Sequence, residues 1–247
     1  MLRNRNIKTK YAMKLSIFAV IVIQINLLFG QIEVISKPVK DSLYRNIAYG
    51  FLNVTNVNRT LSPNENFIPG IIGERANETA LRTYSFGLGL KGHLTKRIIW
   101  DGGISYLQNG EQYEFIAFSK DTSFSYQTYY KYIAMPLKLN FIVGNFVQFY
   151  GGIGILPQLF LSYRQNQQWE TTLGSKDTDI IKSKNDYNSF ITSVLINLGL
   201  SITTSKGVGV FISPEYRYQL QNGYGKLSSF KHKSFGLGVS FGISKEL

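Results

Sequence analysis

The 247-residue chain has no cysteine, only two histidines and no long apolar run after residue 30. The absence of cysteine excludes a disulfide-stapled secreted module and a lipoprotein anchored through an N-terminal cysteine. No cluster of metal-ligating residues, phosphate-binding loop or dinucleotide-binding fingerprint occurs, so we predict neither a metal site nor a cofactor. A spanning helix needs about 20 apolar residues, and nothing after Gly30 meets that requirement.

The first 30 residues have the pattern of a secretory signal peptide. Five basic residues precede an apolar run that ends at Phe29, and Gly30 offers a small residue at a cleavage site. The run is shorter than a membrane-spanning helix. Much of the formal net charge of +12 therefore belongs to the targeting signal. We divide the chain into a cleaved signal peptide (1–30), a periplasmic lead-in (31–45) and a barrel domain (46–247).

Apolar residues alternate with small or polar residues through most of the remaining chain. The clearest stretch runs from Tyr132 to Tyr163 and is folded about the break Val143-Gly144-Asn145. A period of two places one set of side chains on each face of a β-strand. One face is aliphatic and uncharged, and the other is rich in glycine and polar residues. A soluble barrel would carry charges on its outer face, so an uncharged aliphatic face predicts contact with lipid.

Eight such strands are predicted, and the connections between them alternate long and short. Bacterial outer-membrane barrels have an even strand number, tight periplasmic turns and longer extracellular loops. We therefore predict an all-β fold, an eight-stranded antiparallel up-and-down transmembrane β-barrel in the bacterial outer membrane, with both termini in the periplasm. Long loops are expected at 55–81, 109–123, 164–187 and 221–229. The strands are expected at 46–54, 82–94, 97–108, two positions within 132–163, 189–202, 208–219 and 234–243.

Two further features concern the strands themselves. Pro136, Pro157 and Pro214 fall inside predicted strands, where a proline removes a ladder donor, and we expect local bulges to accommodate them. Outward aromatic residues near strand ends predict interfacial girdles. These residues are Tyr106, Tyr163 and Tyr218 toward the loops, with Trp100, Phe141 and Phe241 toward the turns.

Several strand motifs resemble the PorT-like family of small bacterial outer-membrane β-barrels. They are the strand from Tyr132 to Leu139, the motif Gly151-Gly152-Ile153-Gly154, the motif Pro214-Glu215-Tyr216-Arg217-Tyr218 and the final strand from Phe235 to Phe241. The chain departs from the family pattern at Ala134, where an acidic residue is frequent, and in ending beyond the usual terminal aromatic. The resemblance implies an outer-membrane barrel from a family whose members typically lack an assigned activity.

The alternation of facing along the strands places a small set of charged side chains inside the barrel. An eight-stranded barrel is only wide enough for side chains to fill its interior, and unpaired buried charges are strongly unfavourable. We therefore predict a packed network of ion pairs and hydrogen bonds that plugs the lumen. Its members are Lys91, Asp101, Lys138, Glu215 and Arg217.

The sequence gives little support for catalysis. The two histidines, His93 and His232, should lie at opposite ends of the barrel. A Ser-His-acid arrangement of His232 with Ser234 can be written, but no partner carboxylate is indicated. We predict that the protein is not an enzyme.

The last predicted loop carries lysines and no acidic residue: Lys226, Lys231 and Lys233. These lysines can contact lipid phosphates or form a solvated rim. We expect a non-enzymatic, monomeric barrel whose partners are outer-membrane lipid and other envelope proteins, with a structural, assembly or binding role and no nucleic-acid partner. A narrow passive channel and a lipid-modifying enzyme are the alternatives.

Overall fold

The computed structural model describes residues 46–64, 75–116, 122–171, 176–183, 186–225 and 228–247. The predicted signal peptide and periplasmic lead-in lie outside these residues. The described chain folds into eleven β-strands. They are β1 (Ile47–Pro63), β2 (Glu78–Thr79), β3 (Leu81–His93), β4 (Ile98–Ile116), β5 (Thr122–Ala134), β6 (Leu137–Val143), β7 (Val147–Thr171), β8 (Lys176–Ser183), β9 (Phe190–Thr203), β10 (Val208–Gln219) and β11 (Phe230–Glu246). Over the same residues, no helix is long and apolar enough to cross a membrane.

The strands pair antiparallel and close into a ring. Its order is β1, β3, β4, then β5 with β6, then β7, β9, β10 and β11, which pairs with β1 again. Strands β5 and β6 share one place in the ring because both lie between β4 and β7. The short strands β2 and β8 are additions at the edges of β4 and β7. The predicted fold, an eight-stranded antiparallel up-and-down barrel, is confirmed.

The two ends of the barrel differ. At one end, here called the turn end, short turns follow β3, β6 and β9. Two of these turns contain a glycine with positive φ, Gly144 at 103° and Gly207 at 73°, a backbone conformation that other residues adopt only with strain. The described chain also begins and ends here, where the amide of Leu247 donates to the carbonyl of Asn46 at 2.9 Å. The opposite end is called the extension end.

The strands at the extension end are longer than the sequence predicts. Strand β1 continues to Pro63 and β4 to Ile116, while β7 reaches Thr171 and turns back as β8. Much of the predicted loops at 55–81, 109–123 and 164–187 is therefore strand. These segments lie beyond the apolar band, the part of the wall with exposed aliphatic side chains, and they therefore lack aliphatic alternation. Ladder hydrogen bonds and polar contacts stabilise them.

A β-bulge separates the barrel wall from the extension on β7. The register between β5 and β7 shifts between Lys131 and Tyr132, so that Lys131 lies opposite Ser162 and Tyr132 opposite Phe160. The extra residue is Leu161, and it reverses the facing of the residues that follow. Tyr163 consequently points inward and packs near Tyr130, with ring centroids 5.6 Å apart. The prediction that Tyr163 belongs to an outward girdle is wrong.

The three prolines are accommodated without the predicted bulges. Pro136 falls in the two-residue break between β5 and β6, and Pro157 pairs opposite Thr192 with no register shift. Pro214 interrupts the β9–β10 ladder, again without a shift. There the carbonyl of Leu198 accepts a hydrogen bond from the hydroxyl of Ser213 at 2.9 Å. A side-chain donor thus stands in for the amide hydrogen that proline lacks.

Burial in the barrel wall is the reverse of that in a soluble protein. Large aliphatic side chains of the wall are exposed on the outside, including Leu88 at 70% and Ile153 at 68%, whereas Asp101 on the inside is only 2% exposed. Inward glycines make room for inward aromatic residues. A Cβ atom at Gly89 would overlap Tyr49, and one at Gly199 would overlap the ring of Tyr150. The glycine-rich face therefore points into the crowded interior.

Candidate functional site

A charged cluster fills the interior near the turn end. The ammonium of Lys138 lies 2.9 Å from the carboxylate of Asp101, directly opposite in the β4–β6 register. The hydroxyl of Tyr49 donates to the same carboxylate. The ammonium of Lys91 lies 4.7 Å from the ring centroid of Tyr49 and 4.4 Å from that of Phe211. Lys91 is thus held mainly by aromatic faces, whereas Lys138 and Asp101 form an ion pair.

Glu215 and Arg217 are also inside but have different partners. The carboxylate of Glu215 accepts hydrogen bonds from Asn53 at 2.9 Å and from Ser240 at 3.3 Å. Arg217 is 5% exposed, and its Nη2 has no hydrogen-bond partner among the described residues. Of the five predicted lumen charges, the structure therefore joins Asp101 with Lys138 in an ion pair. Lys91 lies opposite Asp101 in the β3–β4 register but contacts aromatic rings, and Glu215 is hydrogen-bonded to neutral side chains.

Amide and apolar side chains fill more of the interior. Asn197 donates to Asn140 at 2.8 Å, and Gln158 donates to Ser193 at 2.6 Å. The interior cavity has a volume of about 30 Å³, which holds roughly two water molecules. An apolar cluster lies beside these amides and consists of Leu107, Tyr130, Tyr132, Ala134, Leu156 and Ile191.

A second charged cluster occupies the interior at the extension end, and Arg59 of β1 is its centre. The guanidinium of Arg59 lies 3.0 Å from the carboxylate of Glu111, donates to the Tyr224 hydroxyl at 3.0 Å, and pairs with Glu78. Arg75 holds the other oxygen of Glu78 at 2.7 Å. Arg59 thus cross-links β1, β2 and β4, because its fork of donors can bind two carboxylates at once.

Burial and charge perturb the acid-base properties of this cluster. Burial raises the pKa of Glu111 to about 7, although Arg59 acts in the opposite direction. Burial also opposes ionisation of Glu78, but its contacts with Arg59 and Arg75 outweigh that effect and lower its pKa. The nearby His232 is fully buried, and burial together with the positive charges of Arg59 and Arg75 lowers its pKa to about 3. His232 is therefore neutral at physiological pH.

His232 does not form the hypothetical catalytic arrangement. Its ring packs between Tyr130 and Tyr224, with centroids 4.8 Å and 4.9 Å away. Neither ring nitrogen of His232, nor the hydroxyl of Ser234, has a hydrogen-bond partner among the described residues. His93 ends β3 at the turn end, far along the barrel from His232. Within the described chain, no group of histidine and carboxylate side chains could hold a metal ion.

The remaining predicted contacts are the basic residues near β11. Lys231 and Lys233 follow the outward parity of Leu237 and lie on β11 beyond the apolar band. Lys233 pairs with Thr60 of β1 in the ladder, where the Thr60 hydroxyl donates to the Lys233 carbonyl at 3.3 Å. Lys226 lies outside the described residues.

Sequence reasoning missed the Arg59 cluster because its residues fall in segments predicted as loops. A weaker signal was present. Thr128, Tyr130 and Tyr132 are buried in alternation with partly exposed neighbours. These polar and aromatic residues thus follow the same period of two that the aliphatic residues follow in the barrel wall. Alternation of residue size and aromaticity therefore continues the strand where alternation of hydrophobicity stops.

The chain is similar to solved structures of small outer-membrane proteins. The outer membrane protein OprG from Pseudomonas aeruginosa is 12% identical, with 83% of this chain and 96% of that chain covered and a TM-score of 0.45. Neisserial surface protein A is 14% identical, with 81% and 97% covered and a TM-score of 0.36. The N-terminal barrel domain of OprF from P. aeruginosa is 14% identical, with 78% and 96% covered and a TM-score of 0.30. No protein-family model and no curated protein matches the chain, and the resemblance to the PorT-like family stays a prediction.

Proposed function

We propose that the protein is a non-enzymatic, integral outer-membrane barrel with a filled lumen, and that it serves a structural, assembly or binding role in the bacterial envelope. The observation that carries this proposal is the reversed burial of the wall. Exposed aliphatic side chains such as Leu198 (67%) surround an interior that holds Asp101 (2%) and Arg217 (5%). Water would penalise the first set and hydrocarbon the second, so a bilayer around the barrel satisfies both.

Orientation follows from the unequal ends. The tight turns of the turn end fit the periplasmic side of an outer-membrane barrel, and the longer strands of the extension end fit the extracellular side. In this orientation both termini are periplasmic, and Lys231 and Lys233 lie at the level of outer-leaflet phosphates. We include membership of the PorT-like family, a monomeric state, and contacts with outer-membrane lipid and other envelope proteins in the proposal.

Charge scanning of the outer wall tests membrane insertion. An arginine near the bilayer midplane on the lipid face costs about 2 to 4 kcal/mol, so Leu137→Arg and Leu198→Arg should reduce the folded fraction recovered in lipid vesicles. Heat-modifiable mobility on gels measures that fraction. The matched control is Gln127→Arg, an exposed position of β5 at the extension end, which should fold like the wild type. Equal folding of all three variants would contradict the facing of the wall toward lipid.

Single-channel recording tests the filled lumen against the channel alternative. The Asp101–Lys138 pair, the apolar cluster and the Arg59 cluster all lie inside the barrel, and the cavity beside Asp101 and Lys138 is small. We therefore expect no steady conductance from the refolded protein in planar bilayers. A stable open level on the nanosiemens scale in the wild type would establish the channel function instead.

A further inference from the structure

The extension end carries a set of aromatic rings, two of which are exposed. The register places Tyr113 of β4 opposite Tyr126 of β5, and Phe124 of β5 between Phe115 of β4 and Trp169 of β7. These five residues have inward parity, and we call them the aromatic platform. They lie beyond Glu111 and Thr128, and therefore above the buried Arg59 cluster.

The rings of the platform form a nearly continuous surface. Those of Tyr113 and Tyr126 are stacked, with centroids 5.2 Å apart and an interplanar angle of 9°. The centroid of Phe124 lies 5.4 Å from that of Trp169 and 6.0 Å from that of Tyr126. Phe115 is 40% exposed and Trp169 is 37% exposed. Exposed aromatic surface outside a lipid-facing wall marks a site of binding.

Polar side chains lie beside the platform on the same face. In the β7–β8 register Gln167 is opposite Asp179, and Trp169 is opposite Asp177. Gln167 donates to Gln165 at 2.8 Å, and Gln165 donates to Thr128 at 3.2 Å. These bonds hold the amides in fixed positions next to the rings. The platform is therefore bordered by amide donors and carboxylate acceptors.

This combination distinguishes between classes of ligand. A lipid chain would cover the amides and carboxylates without forming any hydrogen bond to them, and an anionic ligand would be repelled by Asp177 and Asp179. A neutral sugar chain satisfies both sets, because each pyranose ring has an apolar C–H face and a rim of hydroxyl groups. The C–H face packs on aromatic rings, and the hydroxyls bind amides and carboxylates. Rigid aromatic side chains also lose little conformational entropy on binding.

We propose that the aromatic platform binds a neutral oligosaccharide at the cell surface. The proposal rests on the proposed function, because the platform faces the exterior only if the extension end is extracellular. Trp169 and Phe124 stack on the sugar rings, and Gln167 with Asp179 receives their hydroxyl groups. Glycan binding of this kind needs neither an open lumen nor a catalytic group.

The intrinsic fluorescence of Trp169 provides a direct assay. The chain has two tryptophans, and the other, Trp100, lies near the turn end on β4. A Trp100→Phe variant therefore leaves Trp169 as the only reporter. The protein is refolded in a detergent that contains no sugar and titrated with hexasaccharides of glucose (α-1,4 and β-1,4), xylose, mannose and N-acetylglucosamine. We expect a saturable change in emission with at least one of them.

Variants of one strand separate binding from folding. Binding followed by calorimetry should weaken at least about tenfold in Trp169→Ala and in Phe124→Ala, and Trp169→Phe should retain most of it. Gln168→Ala alters the adjacent residue on the opposite face of β7 and should bind like the wild type. Heat-modifiable mobility confirms that each variant is folded, so a failure of the barrel is distinguished from a failure of the site. A folded wild type that binds none of the five sugars, or that binds an unfolded polypeptide instead, overturns the proposal, as does undiminished binding by Trp169→Ala.

Discussion

Asn140 and Asn197 meet inside the barrel above Gly152. The two asparagines come from β6 and β9, and each is paired in the sheet with Gly152 of the intervening strand β7. Because glycine has no side chain, the Nδ2 of Asn197 can reach over it to the Oδ1 of Asn140 at 2.8 Å. Both asparagines are at most 2% exposed. The bond thus links two strands that are not neighbours in the ring.

Removing one member of this pair should be more damaging than removing both. Asn140→Ala leaves the amide of Asn197 without its acceptor, and an unsatisfied buried group costs about 1 to 3 kcal/mol. Urea titration of the protein in micelles measures the loss. The double variant Asn140→Ala/Asn197→Ala should recover part of it. A double variant that loses the sum of two single losses would show that the amides act independently.

Arg217 should be dispensable for folding. It is buried and has no ion-pair partner among the described residues, and its charge is therefore poorly compensated. Burying one charged group costs several kcal/mol in lost hydration, and an apolar residue of similar length avoids that cost. We expect Arg217→Met to raise or preserve the urea midpoint. Lys138→Met is the contrasting variant, because it strands Asp101 and should lower the midpoint. A large loss of stability in Arg217→Met would indicate a partner that this arrangement does not provide.

The pKa values of Glu111 and His232 predict two opposed pH dependences. Burial raises the pKa of Glu111 from 4.5 to about 7, so the folded chain holds an extra proton between these values and stability falls as pH rises. Burial lowers the pKa of His232 from 6.5 to about 3, so the unfolded chain holds the extra proton and stability rises with pH. In the overlap, pH 4.5 to 6.5, the two slopes offset each other.

Substituting either residue should leave only the pH dependence of stability that the other residue contributes. His232→Phe keeps an aromatic ring between Tyr130 and Tyr224 and should become more stable as pH falls from about 7 toward 4.5. Glu111→Gln should become less stable over the same change. The wild type should vary little. Urea midpoints at several pH values provide the measurement, and parallel profiles for the two variants would contradict the assignment.

The bulge residue should be dispensable for the facing of the extension. Deleting Leu161 places Ser162 directly after Phe160, and the pairing of Lys131 with Ser162 and of Tyr130 with Tyr163 can then continue as a regular ladder. Tyr163 and Trp169 should therefore still point inward, because they keep their alternation with Phe160. We expect the deletion variant to keep a heat-modifiable barrel and the Trp169 emission of the wild type. An altered emission would mean that the shortened β7 pairs in a different register.

The wall of the barrel was predictable from the sequence because its physical determinant is local. Leu88 and Gly89 differ in size and polarity, and a period of two assigns each to its face. The contacts between interior residues were less accessible. The pairing of Asp101 with Lys138 depends on the register between β4 and β6, and a period of two does not by itself specify that register. The neutral partners of Glu215 depend on three strands at once.

The strands and the charged cluster of the extension end could not be predicted from the sequence, for a different reason. Arg59, Glu78 and Glu111 come from segments with no aliphatic alternation, because no lipid or apolar core surrounds them. Their strands are held by ladder hydrogen bonds and by a buried network of charges, and neither leaves a hydrophobic period in the sequence. The bulge at Leu161 is a single insertion within an otherwise regular pattern, and only the paired strand reveals it.

The seam between β1 and β11 has a consequence for the order of assembly. Its ladder extends from Ile47 opposite Glu246 to Pro63 opposite Phe230. The first strand therefore cannot form these pairs until the last strand has been synthesised. Until then the unclosed sheet has two unpaired edges, which can pair with other chains. Contacts so distant in sequence also slow folding. Aggregation therefore competes with closure throughout the lifetime of the open sheet.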